Sequence, residues 1–213
     1  GEKDLFHDPS VKIPMIIYDP RASADKTRGT TCSNLVESID LSATFIEMAG
    51  GTVPDHIIEG KSLIPFLNGT PVTNWREVVF SEYDYSITPM AKELGVEDKD
   101  ARLFMVFDGR YKLIHAEGGF RPILFDLESD PDEFQDLGKQ DNHKEIIKIL
   151  YAHLAQWGRR MSQRVTKSAQ DIHNMRGAAA RKGILPFLVD GSEVEPELIS
   201  KYLGQARKNY LDE

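Results

Sequence analysis

With 213 residues and a net charge of −8, the chain has room for one domain or two small ones and lacks the basic surface that nucleic acid requires. Forty per cent hydrophobic and 28 per cent charged residues suit a globular protein with a packed core, and no apolar run approaches the length that crosses a bilayer. One cysteine, Cys32, excludes an intrachain disulfide and fits a reducing compartment, which favours the cytoplasm.

The opening GEKDLFHDPSVKIP has neither signal-peptide anatomy nor a recognisable domain start, so further chain upstream is expected. Ile13 to Tyr18, entered through Pro14, is a nearly continuous apolar run. It predicts a strand buried on both faces, as inside a parallel sheet covered by helices. After a polar loop over 19–34, a helix is expected with Asp40 as N-cap, Leu41, Phe45, Met48 and Ala49 on one face, and Gly50–Gly51 closing it. Residues 50–76, punctuated by Pro54, Gly60, Pro65, Gly69 and Pro71, form a connector with a short helical piece at Ser62–Leu67.

From Trp75 the pattern turns to strands. Glu77–Tyr83 is one, and Ala101–Phe107 and Arg110–His115 flank Asp108–Gly109, a dipeptide suited to a two-residue type I′ turn. Ile123–Asp126 supplies another after the Gly118–Gly119 break. Short links between consecutive strands favour an antiparallel sheet. Asn142 and Glu145 have capping-box spacing, and the helix they open sets Ile146, Ile147, Leu150, Leu154, Trp157 and Met161 on one stripe, enough to cover one face of the sheet. Beyond 165, a polar stretch leads to an apolar segment at Ile184–Val189 and a last amphipathic helix from Pro196 towards Tyr210, an arm that can pack on a neighbouring subunit or fold back.

Several residues invite a chemical reading. Residues 117–141 hold eight acidic groups against Arg121 and Lys139, and Asp126, Glu128, Asp130, Asp132 and Glu133 imitate a calcium loop in composition. Pro131 falls near the turn glycine such a loop needs and no bidentate Glu follows, so a solvated turn between strand and helix is the expectation. His7 and Asp8 could ligate a metal but lack a second pair at ligand spacing, so a structural role is favoured. His115 is read as a half-buried, hydrogen-bonded residue. Tyr83, Asp84 and Tyr85 could line a substrate mouth, with core packing favoured for the tyrosines.

Two segments carry a resemblance. The first is Lys3-x-x-x-x-Asp8-Pro9-Ser10-x-Lys12-Ile13-Pro14. The second runs from Ser38 to Trp157 through SIDLSATFIEMAGG, EGKSLIPFLNG, NWREVVFSEYDY, MVFDGRYKLIH and LFDLESDPDEFQDL, in that order. Together they resemble the C-terminal part of the sulfatase family, in its arylsulfatase and phosphonate monoester hydrolase group. SEYDY and the Trp75–Arg76 pair lean towards the phosphonate branch.

The resemblance implies an alkaline-phosphatase-like α/β fold, here the end of its α/β core plus a subdomain with an antiparallel sheet covered by one long helix. The expected division is residues 1–74 for the end of the catalytic domain, 75–165 for the subdomain, and 166–213 for a terminal arm open to a homo-oligomer contact. It also implies hydrolysis of small anionic esters, either sulfate or phosphonate and phosphate esters, by a formylglycine derived from a Cys or Ser, with a divalent metal (Ca, Mn or Mg). Cys32 is followed by Ser33-Asn34-Leu35-Val36 and departs from the family's Cys-x-Pro-x-Arg, so nucleophile and metal ligands are expected upstream of this chain. Lys3 matches the family lysine that contacts sulfate or phosphonate oxygens and is the one catalytic residue carried over. Other readings are a non-catalytic oligomerisation or interaction module, and a phosphodiesterase or phosphatase of the same superfamily.

Overall fold

The computed structural model describes residues 5–160 together with Ser168 and Gln170. Lys3, Met161, the apolar segment 184–189 and the predicted helix from Pro196 lie outside the described residues.

The chain enters through α1 (Asp8–Val11), with Pro9 in its first turn, and continues to α2 (Asp40–Met48) and α3 (Ile64–Leu67). Strands β1 (Val79–Asp84), β2 (Arg102–Phe107), β3 (Tyr111–Ala116) and β4 (Ile123–Asp126) follow, with the short α4 (Pro89–Glu93) between the first two. They pair antiparallel in sequence order, and α5 (Lys144–Trp157) closes the described chain.

The sheet is the one the strand pattern predicts, but both its faces are buried. On one face Val106, Leu113 and Leu124 pack under Leu150 of α5, flanked by Ile146, Ile147 and Leu154, and Trp157 stacks on Phe80 with ring centroids 5.1 Å apart. Full burial of an aliphatic side chain of this size stabilises by about 1.5–3 kcal/mol. On the other face Met105, Ile114 and Phe125 receive Phe6, with Val11 of α1 packed alongside. This second cover is the unexpected part. The near-continuous apolar strands Leu103–Phe107 and Ile123–Phe125 are its signature, because a sheet with one wet face alternates instead.

Three local expectations change. The β2–β3 turn is centred on Gly109–Arg110, one residue later than Asp108–Gly109. Gly109 alone has positive φ (+97°), the sign pattern of a type II′ turn, while the Asp108 carboxylate accepts the amides of Arg110 (2.9 Å) and Tyr111 (2.7 Å). No capping box forms at α5: a 3-10 turn over Asp141–His143 leads into the helix, the N-cap is His143, and no side chain caps it. At α2, Asp40 is the first helical residue rather than the N-cap, and the buried side holds Asp40, Ala43 and Thr44 while Phe45 is 62 % exposed. The apolar stripe through Phe45 and Met48 thus faces out, because the inward side makes hydrogen bonds instead. The C-terminus matches expectation: Gly51 N–H reaches Ile46 O (2.9 Å) and Gly50, at φ +79°, reaches Glu47 O (2.9 Å), a Schellman closure.

Ile13–Tyr18 is not a buried strand. The segment carries no regular secondary structure, and Ile13, Ile16 and Tyr18 are 70 %, 95 % and 72 % exposed. A strand needs a neighbour to complete its ladder. Among the described residues none runs beside this one, and the amides of residues 15–18 find no partner there.

Candidate functional site

The segment that leads out of the Lys3 region is fixed at three consecutive residues. Phe6 is inserted into the sheet core, and the His7 ring lies 5.4 Å from that of Phe125. Asp8 donates its amide to Glu133 Oε2 (2.6 Å) and accepts Lys112 Nζ on Oδ1 (2.5 Å). The same Nζ donates to Glu133 Oε1 at 2.7 Å, and both side chains of that pair are 1 % exposed. Lys12 adds an i,i+4 contact to Asp8 at 3.2 Å, and His7 Nδ1 lies 3.5 Å from Glu133 Oε2.

Burial opposes ionisation of Asp8, but the hydrogen bonds and charges of Lys112 and Lys12 outweigh it and hold its pKa below the usual aspartate value. The His7–Asp8 pair thus has a partner that ligand-spacing arguments do not find. Lys112 sits in β3, facing the same side as Ile114, and only the hairpin register carries its ammonium to the acidic loop.

That loop is not a solvated turn throughout. Glu128 and Asp132 are exposed, but Asp126 and Glu133 are buried. Asp126 takes a two-pronged contact from Arg110 (Nε 2.9 Å, Nη2 2.7 Å), and this hydrogen bonding brings its pKa down to about 2. Asp136 accepts the amides of Gly138 (2.8 Å) and Leu124 (3.2 Å) and meets Arg121. Composition reveals acidity but not which carboxylates turn inward; cations from the β2–β3 hairpin decide that.

A second constellation joins α2 to the sheet. The buried Asp40 accepts the amides of Glu37 and Lys61, each at 2.8 Å, and both prongs of Arg76. Thr44 Oγ1 donates to Asp40 O and accepts the Leu63 amide (2.9 Å), and Gly60 lies so close to Ile39 O that a Cβ would stand 2.1 Å from it. Trp75 donates its indole N–H to Leu35 O (2.6 Å) and receives Phe66 edge-on. Trp75 and Arg76, read from sequence as pointers to a substrate branch, are occupied as a fastening.

Cys32 is exposed, near Asn34 in a loop. It borders an open groove of about 350 Å³ that Ile17, Tyr18, Arg28 and Phe66 help to line. Tyr85 is buried with Ala91 and Ala101, Tyr83 packs beside it, and Asp84 accepts the Ser86 amide at 2.9 Å. His115 Nδ1 is 3.1 Å from Tyr151 Oη. No group of three His, Cys, Asp or Glu side chains able to hold a metal occurs among the described residues.

The family model described as N-sulphoglucosamine sulphohydrolase, C-terminal, matches residues 2–160. A multifunctional alkaline phosphatase superfamily protein of Trinickia caryophylli is 27 % identical over 155 residues, covering 71 % of this chain and 29 % of its own. Arylsulfatase K of Xenopus laevis is 32 % identical over 140 residues, covering 65 % of this chain and 24 % of its own. Among solved structures, phosphonate monoester hydrolases from Silicibacter pomeroyi (TM-score 0.56, 27 % identity, 61 % of this chain and 26 % of that one) and Agrobacterium radiobacter (TM-score 0.52, 26 % identity, 60 % and 25 %) share the fold. The chain therefore spans about a quarter to three tenths of the length of these relatives.

Proposed function

This chain belongs to the sulfatase family, of which it forms a C-terminal part, and on that premise we propose that its parent protein hydrolyses sulfate or phosphonate and phosphate esters. The observation that carries the reading is the family match over residues 2–160, which takes in Lys3 and the motifs from SIDLSATF to DPDEFQDL. Residues 1–74 then end the catalytic domain, residues 75–165 form the subdomain, and 166–213 serve as an arm for self-association.

Lys3 supplies a positive charge against the ester's non-bridging oxygens. Negative charge grows on those oxygens during displacement, and a fixed ammonium stabilises the transition state more than the ground state. The formylglycine and divalent metal that the family implies do not fit the described residues. Cys32 has neither the Pro nor the Arg of the modification motif, and no cluster of three donor side chains is at hand. Both belong to other parts of the parent.

The test is to read the coding sequence upstream of Gly1 for Cys-x-Pro-x-Arg or Ser-x-Pro-x-Arg and for Asp-His-Gly or Asp-Asn-Gly, then to assay the parent on aryl sulfates and phenyl phosphonates. A parent with both motifs and turnover on either class sustains the proposal. A coding sequence without them leaves it no nucleophile.

A further inference from the structure

We propose that residues 13–18 are a docking strand: in the parent protein they pair on both edges with strands from outside this chain and so become an interior strand of the parent's own sheet. This rests on the reading of the chain as part of a longer family member, made above.

The backbone of the segment is open on both sides. Ile13 still donates its amide to Val11 O (3.1 Å), but after it no amide of residues 15–18 and no carbonyl of residues 13–18 has a partner among the described residues. In a strand, successive residues turn their N–H and C=O groups to opposite edges. Met15 and Ile17 serve one edge and Ile16 and Tyr18 the other, so a single neighbour would leave half of these groups unmet. Water satisfies them only while the segment stays exposed.

The side chains point the same way. Met15 and Ile17 are half-buried against the groove that Phe66 and Leu67 also line, whereas Ile16 and Tyr18 are bare. That alternation has a strand's period of two. One face thus rests on this chain, and the other is apolar and uncovered. Residues 13–18 carry no charge, although Lys12 and Asp19 bound them, so covering the segment desolvates no ion. The chain's own sheet does not supply the cover, since its four strands pair only with one another.

The neighbours have a source. The matched part is only 24–29 % of the length of the relatives, which leaves ample chain for further strands. A second copy of this chain fits less well, because two such segments laid side by side would satisfy one edge of each and leave the other bare.

The test is amide hydrogen exchange in the parent protein, resolved to single residues over 15–18. All four amides are expected to exchange within about tenfold of the β2–β3 ladder, at any protein concentration. Protection of only 15 and 17, or only 16 and 18, would make this an edge strand and overturn the interior assignment. Exchange as fast as a free peptide would overturn pairing altogether, and protection that fades on dilution would hand the neighbour's place to a second copy. Ile16→Asp sets a charge on the bare face and should speed exchange at 15–18 at least about tenfold while the β2–β3 ladder holds; a variant as protected as wild type would leave that face in water, against the proposal. Should the variant fail to fold, the wild-type pattern decides alone. A parent that turns over aryl sulfates or phenyl phosphonates yet exchanges freely at 15–18 loses the strand and keeps its proposed function. One that protects 15–18 and turns over neither keeps the strand and loses the function.

Discussion

Arg76 lays its guanidinium on the fully buried carboxylate of Asp40, 36 residues earlier, with Nη2 2.6 Å from Oδ1 and Nη1 on Oδ2. The pair ties the first turn of α2 to the start of the sheet, and Glu37 reinforces it from 3.5 Å. Burial pushes Glu37 above its usual pKa; in Asp40 burial acts the same way, but the Arg76 hydrogen bond and two backbone amides win and its pKa lies low. Removing Arg76 leaves a buried charge with backbone partners only. Arg76→Met is therefore expected to destabilise the chain by about 3 kcal/mol, and Arg76→Lys to recover less than half, since an ammonium cannot span two carboxylate oxygens. Urea unfolding midpoints read both; a Met variant within 0.5 kcal/mol, roughly the scatter of surface substitutions, would show the clasp to be idle.

Acid should loosen the acidic loop. The Asp126 pKa of about 2 lies below the unfolded value, so its stabilisation is complete above the unfolded pKa and fades as pH falls towards 2. Asp8, Asp40 and Asp136 are depressed as well and act in the same direction, whereas the raised Glu37 acts in the opposite one. Thermal midpoints should hold steady from neutral pH to about pH 5 and then drop. Asp126→Asn should shallow that drop, modestly, because Arg110 is half-exposed and solvent screens it. Identical slopes for variant and wild type would remove Asp126 from the account.

Much of this architecture was legible. The four strands and the stripe of α5 follow from apolar periodicity, and Gly50–Gly51 announces its own helix end. The errors share a cause. Hydrophobicity alone places Ile13–Tyr18 and the Phe45–Met48 stripe inward, yet burial depends on a partner surface, which a local pattern does not specify. Lys112 goes unmarked in the sequence, and Glu133 reads there only as one acid of a solvated loop, for the complementary reason. A lysine inside a strand reads as solvent-facing unless the acid it will meet, 21 residues on, is known to turn inward. The sheet's second buried face was readable in the unbroken apolar strands, a signal that one-helix coverage did not explain.

Gly60 offers a steric test. A Cβ there would stand 2.1 Å from Ile39 O and 2.9 Å from Asp40 N, both backbone atoms that cannot rotate aside. Gly60→Ala must part the 60–63 strip from α2 and stretch the Lys61–Asp40 and Leu63–Thr44 hydrogen bonds together. The expected loss is about 2–3 kcal/mol, seen as a lowered unfolding midpoint. Gly50→Ala, with no atom within 4 Å but φ +79°, should cost only about 1 kcal/mol of backbone strain. If the two variants melt together, close approach is not what the glycine at 60 provides.

The 213-residue chain by itself should hydrolyse neither aryl sulfates nor phenyl phosphonates, whichever divalent metal is added. A charge-stabilising donor of the kind proposed for Lys3 contributes on the order of 10²–10³ in rate, and only once something attacks the ester. The single cysteine is exposed and lacks the flanking Pro and Arg of the modification motif, so this chain presents no activated nucleophile of the family's kind. Release of 4-nitrophenol from its sulfate ester, followed for the purified chain and for its Lys3→Ala variant, separates the outcomes. Equal turnover in both that persists through repurification would overturn the expectation without involving Lys3. Turnover that disappears with Lys3 would mean that attack itself is organised within these residues, and the division of labour between this portion and the rest of the parent would have to be redrawn.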